Sequence, residues 1–298
     1  MIKVVDVYRK TFQNSIILLG FFDCLHIGHK ALLNASLSFA EKHGLKVSML
    51  TFRGGNGLLK AEEEGDILTL NERVQKAERL GVDTVITANF DEKFKNLSPK
   101  EFVSLLIENH SAKAFVCGYD FTYGKGAEGN AETLKADLKE RNIPLITVEK
   151  QEFKGKRVSS SLIKKYLKDG KICEANKLLG EPYFITAKVE EGRKVGRDLG
   201  FPTANFSVPS GKMQIKDGVY LTSAVIGGKK FNGITNYGSK PTFSVDERTV
   251  ETYFKGFQGD LYGEEITLSF HEFLREIKKF KDLDELKNQL AKDLERIK

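Results

Sequence analysis

The chain has 298 residues, 40% apolar and 30% charged, the make-up of a globular protein with room for two domains. Its 47 basic and 41 acidic residues leave a net charge of +6, which suits an anionic ligand, while no basic run interleaved with aromatics points to nucleic acid. The cysteines Cys24, Cys117 and Cys173 are scattered without metal-ligand spacing, Met1 to Lys10 is too charged for a secretory signal, and no apolar stretch reaches membrane-spanning length; a cytoplasmic protein without a membrane partner is expected.

From the start to about Leu179, short apolar runs alternate with helical ones. Strands are expected at Ile16 to Gly20, Lys46 to Phe52, Thr84 to Thr87, Lys113 to Gly118 and Pro144 to Val148. Helices are expected at Ile27 to His43, Asn71 to Leu80, Pro99 to Asn109, Asn130 to Arg141, Ser160 to Lys168 and Ile172 to Leu179. This alternation implies a doubly wound, Rossmann-like parallel sheet with ligands beyond the carboxyl ends of its strands. After Gly180-Glu181-Pro182 the period becomes two: Tyr183 to Val189, Gly218 to Ile226, Lys229 to Tyr237, Arg248 to Phe254 and Glu265 to His271 alternate apolar with polar. An α/β domain over 1–182 and a small antiparallel β-barrel with a terminal helix over 183–298 are therefore expected, the helix running from Leu283 to Ile297.

Four stretches carry chemistry. The first strand ends in Gly20-Phe21-Phe22-Asp23-Cys24-Leu25 and the next helix opens with His26-Ile27-Gly28-His29. Unpaired N–H groups and the positive end of a helix dipole suit phosphate, and two imidazoles three residues apart can hydrogen-bond to a leaving pyrophosphate. A strand-turn-helix with two surface histidines is the blander alternative. The second stretch is Gly196-Arg197-Asp198-Leu199-Gly200-Phe201-Pro202-Thr203-Ala204-Asn205. Its glycines can expose N–H groups to phosphate, and Thr203 and Asn205 offer oxygens to Mg²⁺; a turn with a polar staple fits the same composition. The third is Glu251. Alternation puts it with Tyr253, opposite Val250, Thr252 and Phe254; on the inner side of a barrel it would be costly without a task, and a solvent-facing glutamate is the commoner case. The fourth is Lys156-Arg157-Val158-Ser159-Ser160-Ser161-Leu162-Ile163-Lys164, a serine-capped helix start with positive charge that many helices share.

These motifs, together with Gly118-Tyr119-Asp120-Phe121, Gly218-Val219-Tyr220, Asn236-Tyr237-Gly238-Ser239-Lys240-Pro241-Thr242-Phe243, Gly259-Asp260-Leu261-Tyr262-Gly263 and Leu274-Arg275, resemble the bacterial bifunctional riboflavin kinase/FMN adenylyltransferase (FAD synthetase) family over almost the whole chain. The resemblance implies that riboflavin and ATP give FMN, and that FMN and ATP give FAD and pyrophosphate, with ATP, flavin and Mg²⁺ as the small molecules involved. It implies that Glu251 is the base for the ribityl hydroxyl, that His26 and His29 hold ATP phosphates, and that Gly20, Phe22, Asp23, Gly28, Ser160, Ser161 and Lys164 serve ATP in the first domain. Gly196, Arg197, Thr203 and Asn205 would serve Mg-ATP in the second, with Thr203 and Asn205 on the metal. Asp120, Phe121, Arg275 and Tyr262 would lie near flavin. The family usually has Asn where Phe21 stands, Gly where Cys24 stands, Arg where Lys164 stands, and a Phe-x-Pro-His-Pro run where this chain has Phe52-Arg53-Gly54-Gly55-Asn56-Gly57. Two alternatives follow: a riboflavin kinase with a weak or lost adenylyltransferase domain, and a flavin-binding regulator. A homo-oligomer is compatible with the sequence.

Overall fold

The computed structural model describes residues 1–53, 65–191, 202–239 and 248–297. They fall into two compact units, Met1–Ser160 and Ser161–Lys298. Gly54 to Gly57, Gly196 to Phe201 and Lys240 to Phe243 lie outside the described residues.

The first unit runs β1 (Lys3–Asp6), β2 (Ser15–Leu18), α1 (Ile27–His43), β3 (Lys46–Arg53), α2 (Leu70–Arg79), β4 (Thr84–Asn89), α3 (Glu92–Lys95), α4 (Pro99–His110), β5 (Ala112–Gly118), a hairpin of β6 (Thr122–Tyr123) and β7 (Gly129–Asn130), α5 (Ala131–Glu140), β8 (Leu145–Val148) and a hairpin of β9 (Glu152–Phe153) and β10 (Lys156–Arg157). Six strands form a parallel sheet in the order β1-β4-β3-β2-β5-β8. Period two on β2 sends Ile16 and Leu18 to one face and Ile17 to the other. Ile16 and Leu18 pack with Leu32, Leu33 and Ala40 of α1 and Ala77 of α2. Ile17 packs with Phe102, Val103 and Leu106 of α4 and Leu134 and Leu138 of α5. Helices thus cover both faces, and the strand order reverses between β2 and β5, where such sheets open their ligand crevice. The expected strands and helices of this unit are all present, with ends that differ by at most two residues. The edge strand β1 is an addition: four residues, Lys-Val-Val-Asp, with a polar residue at each end, pair in parallel with β4.

The second unit continues with α6 (Ser160–Lys168), α7 (Ile172–Leu179), β11 (Tyr183–Lys188), β12 (Thr203–Ser207), β13 (Gly218–Ile226), β14 (Lys229–Ser239), β15 (Arg248–Phe254), β16 (Glu265–Arg275) and α8 (Leu283–Leu294). Its antiparallel sheet has the order β11-β16-β13-β14-β15-β12. The two edges meet through a bridge between Glu190 and Asn205, which turns the sheet into a barrel. Tyr220, Thr235, Tyr237, Val250, Thr252, Phe254, Leu268 and Phe270 fill the interior. Three buried threonines, Thr222, Thr235 and Thr252, satisfy one another by hydroxyl contacts of 2.8 Å, so the polar groups inside cost little. On the outside, Leu294 and Ile297 pack over Val219, Leu221, Ile234 and Leu274, which explains apolar residues on the solvent-side register of β13 and β14. Strand β12 was not among the expected elements; Thr-Ala-Asn-Phe-Ser offers only two apolar residues to its inner face.

Candidate functional site

In the first unit, one wall of the crevice follows from how the chain leaves β2. Gly20 is needed there: a Cβ would stand 2.9 Å from the Phe22 ring. Phe22 and Leu25 take positive φ angles of 53° and 49°, a conformation that costs L-residues about 1–3 kcal/mol each and that nothing in the sequence announces. Three contacts hold the turn. Thr51 Oγ1 donates to Phe21 O at 2.7 Å, Ile67 N–H donates to Asp23 Oδ1 at 2.8 Å, and Lys76 Nζ donates to Cys24 O at 2.8 Å. Asp23 is therefore a buried anchor of the turn.

His26 is the N-cap of α1, and its Nδ1 accepts the His29 N–H at 3.1 Å. That bond leaves the proton of neutral His26 on Nε2. The two imidazoles stack, centroids 3.6 Å apart at 11°, and Phe22 packs edge-on against His29 at 5.0 Å. Burial pushes His26 down to about 4 and His29 well below the usual histidine range, so both rings are neutral near pH 7. Gly28 leaves room for the His26 ring, which a Cβ would meet at 3.1 Å; close approach by the ring, rather than by a ligand alone, demands the glycine.

These groups line a crevice of about 240 Å³ with Gly118, Tyr119, Asp120 and Phe121 after β5, and with Arg157, Ser159 and Ser160. Its place beyond the ends of β2 and β5 is the switch point of the sheet. Asp120 and Arg157 form an exposed ion pair, and Arg157 also lies over the Tyr119 ring. Phe121 stacks on Tyr123 at 5.5 Å. Expected residues Gly20, Phe22, His26, Gly28, His29, Asp120, Phe121 and Ser160 thus come together. Ser161 and Lys164 belong to α6 of the second unit, where Lys164 is buried.

The sequence gives no sign of the buried charges on α2, because Glu, Arg and Lys at helical spacing normally mark a wet face. Here Arg73 is fully buried, pairs with Asp66 at 3.0 Å, and also donates to Thr51 Oγ1 and Phe52 O. It therefore supports the same Thr51 that fixes Phe21. Asp66→Ala strands a buried guanidinium and is expected to lower stability by about 3–5 kcal/mol, read as a lower urea midpoint. An unchanged midpoint would remove the pair from the supports of this turn.

In the second unit, register assembles the site. Asn205 on β12 and Asn236 on β14 both stand directly opposite Glu251 on β15. Thr203 stands opposite Tyr253 in the next row of the same face. Glu251 is exposed, whereas Val250, Thr252 and Phe254 are turned inward. Of the two placements left open for Glu251, the solvent-facing one holds: the interior is closed with hydroxyls and rings, and Glu251 faces outward between two carboxamides. Asn205 Nδ2 donates to Thr203 O at 3.3 Å, which leaves Asn205 Oδ1 to accept a cation. Thr203 also lines a cavity of about 320 Å³ with Phe254, Phe257, Asp260 and Tyr262. Arg275 is held by Asp293 of α8 at 2.7 Å and lies over the Phe280 ring. It ties the end of β16 to the helix that covers the outer face. Gly196 and Arg197 lie outside the described residues. Nothing local to the Asn236 motif marks a role for it; strand pairing places it beside Glu251.

Comparison with known proteins matches both halves. The FAD synthetase family covers residues 8–162 and the riboflavin kinase family residues 179–298. A bifunctional riboflavin kinase/FMN adenylyltransferase of Bacillus subtilis is 35% identical over 94% of this chain and 90% of its own length. Its namesakes in Listeria monocytogenes and Escherichia coli K12 are 33% and 31% identical over 94% of this chain and 90% and 91% of theirs. A crystal structure from Streptococcus pneumoniae, named a macrolide-efflux protein, has a TM-score of 0.89 and 29% identity over 100% of both chains. Among the described residues, no helix is long and apolar enough to cross a membrane. The order of the two matched families and the near full-length relatives agree: the chain belongs to the bifunctional riboflavin kinase/FMN adenylyltransferase family.

Proposed function

We propose that the second unit phosphorylates riboflavin with ATP to give FMN, and that the first adenylylates FMN with ATP to give FAD and pyrophosphate. The observation that carries this reading is that each matched family brings its own chemical groups: stacked, buried imidazoles lining the crevice at a helix N-terminus in one, and the exposed Glu251 beside Thr203 and Asn205 in the other. The functional division runs between residues 182 and 183.

In phosphoryl transfer, Glu251 accepts the proton of the ribityl hydroxyl as its oxygen bonds to the γ-phosphorus and ADP departs. Asn205 and Asn236 stand opposite the carboxylate on the two neighbouring strands. The Thr203 hydroxyl and Asn205 Oδ1 are hard oxygen donors on one face, which fits Mg²⁺; bound there, the ion would neutralise phosphate charge. Tyr262 and Arg275 serve the flavin from the cavity rim and the β16–α8 junction.

In adenylyl transfer, an FMN phosphate oxygen attacks the α-phosphorus of ATP. His26 donates from Nε2, and His29 with the free N–H groups of α1 joins it, as charge builds on the departing pyrophosphate. Gly20, Phe22 and Asp23 shape the turn under the nucleotide. Ser160 completes its contacts, and Asp120 and Phe121 face FMN. Neither reaction needs a covalent enzyme intermediate; positioning and charge neutralisation suffice.

Three free cysteines, two of them buried, support a cytoplasmic setting. The test is to incubate the full chain with riboflavin, ATP, Mg²⁺ and pyrophosphatase and to resolve flavins by chromatography. FMN is expected first and FAD after it. FMN that never proceeds to FAD would remove the adenylyl transfer.

A further inference from the structure

Cys24 stands in the turn between β2 and α1, and no step above uses it. Its thiol is fully buried and faces the start of α1, with Sγ 3.7 Å from Ser160 Oγ. One ligand atom each from Cys24, His26 and His29 lie within 4.8 Å of one another, the one such group of three metal-ligating side chains among the described residues. The scattered cysteines gave no metal spacing by themselves; the histidines complete the set. A second observation points the same way: His29 Nδ1 is buried with no hydrogen-bond partner. A buried imidazole nitrogen without a partner is costly, and a ligand that satisfies it recovers that cost.

We propose that Cys24, His26 and His29 form a site for Zn²⁺, with one thiolate and two imidazoles as protein ligands and a fourth position open to the crevice. Zn²⁺ accepts this mixed sulfur and nitrogen set in tetrahedral geometry, with Zn–S about 2.3 Å and Zn–N about 2.0–2.1 Å. Ligands so spaced lie about 3.3–3.8 Å apart, so the groups need close by only about 1 Å, with one ring tilting out of the stack. If His26 binds through Nδ1, its N-cap bond to His29 N–H is given up, a loss of about 1 kcal/mol. Forming the Zn–S bond releases the thiol proton to solvent. The Lys76 ammonium bonded to Cys24 O opposes a cation, and the adjoining Asp23 carboxylate offsets it. Zn²⁺ so held occupies the two rings that face the nucleotide phosphates, so it blocks adenylyl transfer and leaves phosphoryl transfer untouched. This blocking rests on the proposed function; the binding does not.

Co²⁺ is the probe for binding, since a thiolate–Co²⁺ bond gives a charge-transfer band in the near ultraviolet. One Co²⁺ per full-length chain is expected, with the band bleached by Zn²⁺. Cys24→Ser should lose the band and bind Zn²⁺ at least about 100-fold more weakly in chelator competition. His29→Gln should weaken binding comparably, while Cys117→Ser and Cys173→Ser keep the band. No band in the wild type, a band that survives Cys24→Ser, or one lost with Cys173→Ser would overturn the site. Equimolar Zn²⁺ should then halt FAD formation in the wild type but not in Cys24→Ser, with FMN formation steady in both. Should the chain make no FAD at all, the Co²⁺ spectrum alone still decides the site.

Discussion

Glu251→Gln is expected to lower kcat for FMN formation by about 10²- to 10⁴-fold, the range for a lost general base. The substitution keeps size and hydrogen-bonding reach but removes the proton acceptor. Because Glu251 is exposed on β15, the change should alter stability by no more than about 0.5 kcal/mol, so the loss is chemical rather than a folding defect. KM for riboflavin and ATP should stay within about threefold, since a group needed only in the transition state lowers kcat and kcat/KM together. FAD formation from supplied FMN should continue at the wild-type rate. The measurement is steady-state flavin chromatography with each substrate in turn. Wild-type kcat in the variant would remove Glu251 from the mechanism. Loss of FAD formation to the same degree would mean that the two chemistries share one site.

Much of this arrangement was legible before the structure. Residues 27–43 form α1 as expected because apolar residues at helical spacing run from Ile27 and the helix stops where Gly44 adopts a left-handed φ of 63°. The change from helical to period-two patterning near 180 marked the all-β unit, and alternation alone separated Glu251 from Val250 and Thr252. Other features depend on partners far away in sequence. Which side of the barrel Glu251 occupies is decided by closure of the sheet and by α8 over Val219 and Ile234. Arg73 and Lys76 look like surface charges until Asp66, Thr51 and Cys24 O surround them. The strain at Phe22 and Leu25 leaves no trace in composition, because their positive φ angles are imposed by the contacts of Thr51, Ile67 and Lys76 on the same turn. Local pattern therefore specifies elements and faces, while the buried polar network that shapes the first site is a tertiary property.

His29→Ala should lower FAD formation by about 10²- to 10³-fold, the usual cost of one preorganised donor to a developing negative charge, while FMN formation is unchanged. His26 calls for two substitutions because it has two tasks. His26→Ala removes the imidazole and the N-cap together, with about 1 kcal/mol of stability lost from the cap. His26→Asn restores a side-chain acceptor for the His29 N–H but offers phosphate no imidazole. It should therefore recover the stability and not the rate. Recovery of both would reduce His26 to a cap. The pH dependence gives an independent reading. Both histidines have folded-state values below the ordinary one, His26 at about 4 and His29 well under the usual histidine range because it is buried. Between about pH 4 and about pH 6.5 the unfolded chain therefore binds more protons than the folded one, and stability rises with pH across that window. The contribution is complete above it and is lost on acidification. His29→Ala removes one of the two groups, so its urea midpoint should fall less steeply than the wild type's as pH drops from about 6.5 to about 4. An equal slope in both proteins would mean that His29 is not held neutral by burial, and that its part in adenylyl transfer is played as a charged ring.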